Sequence, residues 1–140
     1  MPTMPRVVLD TNVWLDWLVF NDPAIAPLRA LVEADRAQIY LDALCAAELE
    51  RALSYDLKRE VDVTACMAKA RRAAYASEAT VPSAQVAKLP HCRDPDDQKF
   101  LEAALASRAD FLITKDHALL ALDGRAAFRI VTPAGFAAAT

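Results

Sequence analysis

Arg6-Val7-Val8-Leu9-Asp10-Thr11-Asn12 decides how the rest of the chain is read. A short β-branched run without apolar–polar alternation is the pattern of a strand buried on both faces. It ends on a carboxylate. Helical spacing then begins at once, with Trp14, Leu15, Leu18 and Val19 on one side. This puts Asp10 at the carboxyl end of a strand, where open α/β sheets bind their ligands.

Downstream, the same alternation repeats. The first helix is expected over 11–20, broken by Asn21-Asp22-Pro23. Pro27 suits the first turn of the next helix, with Leu28, Leu31 and Val32 facing inward. A second strand is expected over 38–41, with Asp42 capping a helix over 43–56. Residues 62–77 read as one alanine-rich, basic helix. Residues 80–90, with Pro82 and Pro90, read as a loop with at most a very short strand near Val81 or Val86. A turn over 91–95, a helix over 96–108, a strand over 111–114, a short helix over 116–122, a strand over 128–131 and a helix over 133–139 complete the chain. Alternating strands and helices predict a three-layer α/β/α sandwich with a mostly parallel central sheet.

The 140 residues form one expected domain, 1–140, long enough for a sizeable core. Apolar residues at 55% and charged residues at 25% exclude a disordered chain. The net charge of −3 and the absence of like-charge runs offer no electrostatic anchor for DNA or an anionic membrane. Cys45, Cys66 and Cys92 are odd in number and lack a Cys-x-x-Cys spacing, so reduced thiols are expected. With no apolar run of spanning length and no leader pattern, the expected location is the cytoplasm, away from membranes.

Three further acids stand where acids are costly. Glu48 lies one turn after Leu44 and one before Ala52, beside Cys45, so it shares an apolar stripe. Asp97 precedes Phe100 and Leu101 by three and four residues and projects from a buried face. Asp116, like Asp10, follows a strand. Capping alone accounts for any one of Asp94, Asp96, Asp97 or Asp116. In a doubly wound sheet, however, strand ends and helix starts converge on one edge. Four carboxylates there repel one another without cations. Mg²⁺ or Mn²⁺, hard ions that take oxygen ligands, neutralise such a cluster and suit phosphodiester hydrolysis.

These segments resemble the PIN-domain ribonucleases. The likeness rests on Val7-Val8-Leu9-Asp10-Thr11-Asn12, Glu48 in Ala46-Ala47-Glu48-Leu49, Arg93-Asp94-Pro95-Asp96-Asp97 followed by Lys99-Phe100-Leu101-Glu102, and Asp110-Phe111-Leu112-Ile113-Thr114-Lys115-Asp116. The ending Ile130-Val131-Thr132-Pro133 fits as well. The likeness spans essentially the whole chain and is greatest to the branch of toxins from bacterial toxin–antitoxin pairs. It implies a Mg²⁺- or Mn²⁺-dependent endoribonuclease with RNA as substrate and a cognate antitoxin as partner, and it makes a homodimer a candidate assembly. By position, Asp10, Glu48, Asp97 and Asp116 are the implied metal-holding acids, and Asp94 is an additional candidate ligand. Thr11, Asn12 and Thr114 are the implied groups that orient carboxylates or water. Lys115 is left outside the site.

Other features of the sequence have plainer explanations. Arg51, Lys58, Arg59, Lys69, Arg71 and Arg72 are candidates for a phosphate-holding face, against a merely solvated one. His91-Cys92 has no second Cys/His pair to make a zinc site, and a metal-bound hydroxide leaves His117 unneeded as a base. Trp14 and Trp17 read as core or dimer-contact residues, not as base-stacking platforms. A phosphatase using Asp10 as nucleophile would want a second Asp two residues on, where this chain has Asn12. A catalytically silent RNA- or protein-binding module of the same fold is the non-enzymatic alternative.

Overall fold

The computed structural model describes residues 4–55, 57–77 and 81–140. Five strands build one sheet: β1 (Arg6–Leu9), β2 (Gln38–Asp42), β3 (Ala74–Ser77), β4 (Phe111–Ile113) and β5 (Arg129–Val131). Their order is β3-β2-β1-β4-β5, and every neighbouring pair runs parallel. The chain leaves β1 toward β2 on one side and later returns to β4 on the other. The carboxyl end of β1 is therefore the topological switch point, where a crevice opens.

Side-chain alternation along β1 builds both interiors. Val7 and Leu9 enter one layer with Ile39, Ile113 and Val131. That layer is closed by α1 (Thr11–Leu15), α2 (Ala26–Glu33), α3 (Ala43–Ser54), α4 (Val63–Ala73) and α8 (Pro133–Ala139). Val8 enters the other layer with Leu112 and Ile130, beneath α6 (Gln98–Ala106) and α7 (His117–Leu120). The product is the expected three-layer α/β/α sandwich. Each fully buried aliphatic side chain, such as Leu101 or Leu112, contributes roughly 1.5–3 kcal/mol. Trp14 and Trp17 are buried, with ring centroids 5.7 Å apart, so they serve the core.

Local chemistry explains most boundaries. The Asp10 side chain accepts from the Val13 N–H and caps α1. After Leu15 the helix widens into a π turn, Asp16–Phe20, which ends at Asn21 in the left-handed region at φ 48°. Asn tolerates that conformation better than most residues. Asp42 caps α3 and Asp62 caps α4, each accepting from the N–H three residues on. Pro27 stands in the first turn of α2, as its spacing predicts.

Two expectations need correction. The helix expected over 62–77 stops at Ala73, and Ala74–Ser77 forms the edge strand β3. No Gly or Pro marks that change. What overrides the alanine-rich helical preference is pairing with β2, registered Ile39↔Ala74 through Asp42↔Ser77, a partner that local sequence cannot see. The loop expected over 80–90 carries a short helix, α5 (Ser83–Val86), after Pro82, and neither Val81 nor Val86 is in a strand. The expected helix end at Asp56 and loop start at Thr80 lie outside the described residues.

Candidate active site

The parallel ladder delivers Asp10 and Asp116 to one edge. The Asp10 N–H donates to the Ile113 carbonyl at 3.1 Å, extending the β1–β4 pairing by one residue. The Thr114 N–H does the same toward the Val131 carbonyl at 2.9 Å. Thr114 is fully buried, and its hydroxyl joins the two acids. It donates to Asp10 Oδ2 and accepts from the Asp116 N–H at 2.9 Å. Asp10 is 3% exposed. Burial pushes its carboxyl above the usual range, and the bonds from Thr114 and Val13 offset this only in part.

Asp97 arrives by a different route. Gln98 fastens the preceding loop: its Oε1 accepts from the Cys92 N–H at 2.8 Å, and its Nε2 donates to the Pro90 carbonyl at 3.0 Å. A 3₁₀ turn, Pro95–Asp97, then leads into α6. Asp94 caps that turn, its Oδ1 accepting from the Asp96 N–H at 3.0 Å. Asp94 is exposed, and the blander capping role belongs to it. Asp97 and Asp116 stand at the N-cap positions of α6 and α7, yet neither side chain makes a capping bond. The Asp97 carboxyl is pushed up to about 6, first by burial, then by the charges of Asp116 and Asp94, then by its hydrogen bond with Asp116. Asp116 Oδ2 is buried and has no hydrogen-bond partner among the described residues. A buried, unpartnered carboxylate oxygen carries a desolvation cost of about 1–3 kcal/mol or more.

Glu48 has other partners than these three acids. Its stripe differs from the sequence expectation: Leu44 is 69% exposed, and α3 buries Cys45, Leu49 and Leu53 instead. Glu48 lies at the margin of that face and is partly exposed. Its Oε2 accepts from Lys99 Nζ at 2.9 Å and from Arg51 Nη2. The Lys99 ammonium, then Arg51, hold this carboxyl below its usual range against a burial effect of opposite sign. Among the described residues, no three His, Cys, Asp or Glu side chains already stand in metal-holding geometry.

The remaining candidates fall in several places. Thr11 Oγ1, in the first turn of α1, is buried without a hydrogen-bond partner among the described residues, whereas Asn12 is exposed. Lys115, outside the sequence-derived site, forms an ion pair with Asp16 and lies 3.8 Å from Asp22. Its charge also reaches Asp10 and favours the ionised form there. Sequence reasoning passed over Asp16 and Lys99, because nothing in local spacing says that they meet Lys115 and Glu48 across the fold. Arg59 donates to the Val19 carbonyl at 3.2 Å and lies over the Phe20 ring. Lys58 is exposed and holds a positive φ of 60°. Arg71 lines a groove with Asp42 and Ala43, while Arg72 and Lys69 line a cleft with Gln38, at the amino end of β2. His91 and His117 are exposed, and Cys92 is buried in the layer beneath α6.

Comparison with known proteins agrees with this architecture. The sequence matches the family described as PIN domain over residues 6–118, which includes every acid discussed above. Among solved structures, the crystal structure of PAE2754 from Pyrobaculum aerophilum is similar, with a TM-score of 0.61 and 18% sequence identity. That match covers 99% of this chain and 100% of the other. At such identity the likeness speaks for the fold alone. No curated protein matches. Among the described residues, no helix is long and apolar enough to cross a membrane.

Proposed function

This chain belongs to the PIN-domain family, whose members are generally nucleases, and from that premise we propose that it is a metal-dependent endoribonuclease that hydrolyses RNA phosphodiester bonds. The observation that carries the reading is the pair Asp97–Asp116. One carboxyl is pushed up to about 6 by burial and then by its acidic neighbours, and the other presents a buried oxygen that no group among the described residues satisfies. Asp10 adds a third carboxyl, fixed in direction by Thr114 and the Val13 N–H.

Crowded, hard oxygen donors with an unsatisfied lone pair suit Mg²⁺ or Mn²⁺. Asp10, Asp97 and Asp116 would hold such an ion, with Glu48 and Asp94 as further ligands. When bound, it supplies Lewis-acid stabilisation of the scissile phosphate and lowers the proton affinity of water. Thr114 keeps Asp10 and the Asp116 backbone in register, and Thr11 and Asn12 are the remaining groups placed to orient a carboxylate or water. In the cation's absence Asp97 keeps its proton only below about pH 6. Arg51, Lys58, Arg59, Arg71 and Arg72 are the proposed phosphate contacts. Of these, Arg72 lines a cleft at the opposite ends of the strands from the acids. The biological setting we propose is the cytoplasmic toxin half of a toxin–antitoxin pair, with a cognate antitoxin protein and a homodimer as assemblies.

One observation favours a competing reading. Glu48 is already neutralised by Lys99 and Arg51, as it would be in a catalytically silent RNA- or protein-binding module. The two readings separate in one experiment. Purified protein is incubated with several single-stranded and structured RNAs, with Mn²⁺ or Mg²⁺, and then with chelator. Cleavage that appears with the ion, disappears with chelator and is lost in Asp10→Asn supports the nuclease. Binding of RNA with no cleavage under any of these ions sinks it in favour of the module.

A further inference from the structure

Glu48 is the acid that the motif pattern assigns to the metal site, yet two cations meet on one of its oxygens. Lys99 Nζ is 2.9 Å from Oε2, and Arg51 Nη2 donates to the same atom. Arg51 reaches it from one turn along α3. Lys99 reaches it from α6, two residues past Asp97, so the contact also ties together the helices that carry Glu48 and Asp97. The Glu48 and Lys99 side chains are 26% and 20% exposed, so water screens this pair less than it screens the contact with Arg51, which is 59% exposed. Both cations occupy Oε2, and a divalent ion on the neighbouring Oε1 would stand within a few ångströms of the ammonium and the guanidinium and be repelled by them.

We propose that Lys99 and Arg51 are positioning residues that hold Glu48 away from Asp10, Asp97 and Asp116. The free protein therefore takes up a single divalent cation on the aspartates. A second, Glu48-dependent cation binds only when phosphates draw the ammonium and guanidinium off the carboxylate. Phosphodiester oxygens are the natural competitors, since Arg and Lys donate to them as they do to carboxylates. The nucleic acid itself would then complete the metal site. This rests on the metal-dependent reading above.

Calorimetric titration of the intact, RNA-free protein with Mn²⁺ tests it, with circular dichroism to confirm that each variant is folded. Wild type is expected to bind one equivalent, and a short oligodeoxynucleotide, which carries phosphates without 2′-hydroxyls, is expected to bring in a second. Lys99→Met, alone or with Arg51→Ala, should bind the second equivalent without the oligonucleotide, at least tenfold more tightly than wild type. Adding Glu48→Gln should erase that gain, and Lys99→Arg should restore wild-type behaviour. Two equivalents in free wild type, or one in the folded Lys99→Met variant, overturn the positioning role and leave the metal reading intact. No Mn²⁺ binding by any form overturns the metal reading, and this inference with it.

Discussion

Replacing Asp97 by Asn should stabilise the metal-free protein. Its carboxyl is pushed from 3.8 to about 6, with burial the first cause and the charges of Asp116 and Asp94 next. At about 1.4 kcal/mol for each pH unit, forcing that group to ionise in the folded state costs up to roughly 3 kcal/mol. Asp97 is only partly buried, so solvent screening reduces the figure to about 1–2 kcal/mol. The cost has a definite pH window. Below 3.8 both the folded and the unfolded chain keep the proton, and nothing is lost. Between 3.8 and about 6 the unfolded chain releases it first, so stability falls as pH rises. Above about 6 the full penalty is present. Asn cannot ionise and can still donate a hydrogen bond to Asp116. Thermal unfolding in chelator at pH 7.5 should therefore show a melting temperature about 4–8 °C higher for Asp97→Asn than for wild type. At pH 3.5 the two should melt together. Added Mn²⁺ should raise the wild-type melting temperature and close the gap, because the ion replaces the missing positive charge. If Asp97→Asn melts at or below wild type in chelator at pH 7.5, the electrostatic account of this site is wrong.

Two other substitutions probe the supports of the site. Thr114→Val keeps the shape but leaves Asp10 Oδ2 without its donor and the Asp116 N–H without its acceptor. It should cost about 1–3 kcal/mol in urea unfolding, and Thr114→Ser should recover most of that; an unchanged midpoint for the Val variant would show that the hydroxyl bridge is dispensable. Lys115→Met leaves Asp16, whose side chain is 13% exposed, without its ion-pair partner. Because the ammonium itself is 42% exposed, the expected loss is about 1–2 kcal/mol, less than for a fully buried pair. A variant as stable as wild type at pH 7.5 would mean that Asp16 needs no counter-charge.

Much of the fold is written in local patterns. The run Val7–Leu9, buried on both faces, could only be an inner parallel strand, and the carboxylate that ends it could only lie at the sheet's carboxyl edge. The caps at Asp10, Asp42 and Asp62 and the turn at Asn21 follow from residue chemistry within three or four positions. The strand Ala74–Ser77 was hidden because its cause is β2, more than thirty residues away in the chain. The same reasoning holds for the acids. That Asp97 and Asp116 are costly could be read from their positions, but which of the neighbouring acids caps could not. Asp94 takes the cap because the 3₁₀ turn brings the Asp96 N–H to it, leaving Asp97 free to face Asp116.

The opening stretch shows where the division falls. By itself the sequence determined that Asp10 ends a buried strand and begins a helix, since burial, β-branching and capping are all local properties. Only the tertiary structure decided what Asp10 meets. Thr114 reaches it because β4 lies beside β1, and Glu48 turns to Lys99 because α3 packs on α6. Coulomb forces and hydrogen bonds act across space regardless of chain order. Residues 51 and 104 positions apart can therefore set each other's charge, and local sequence carries no record of it.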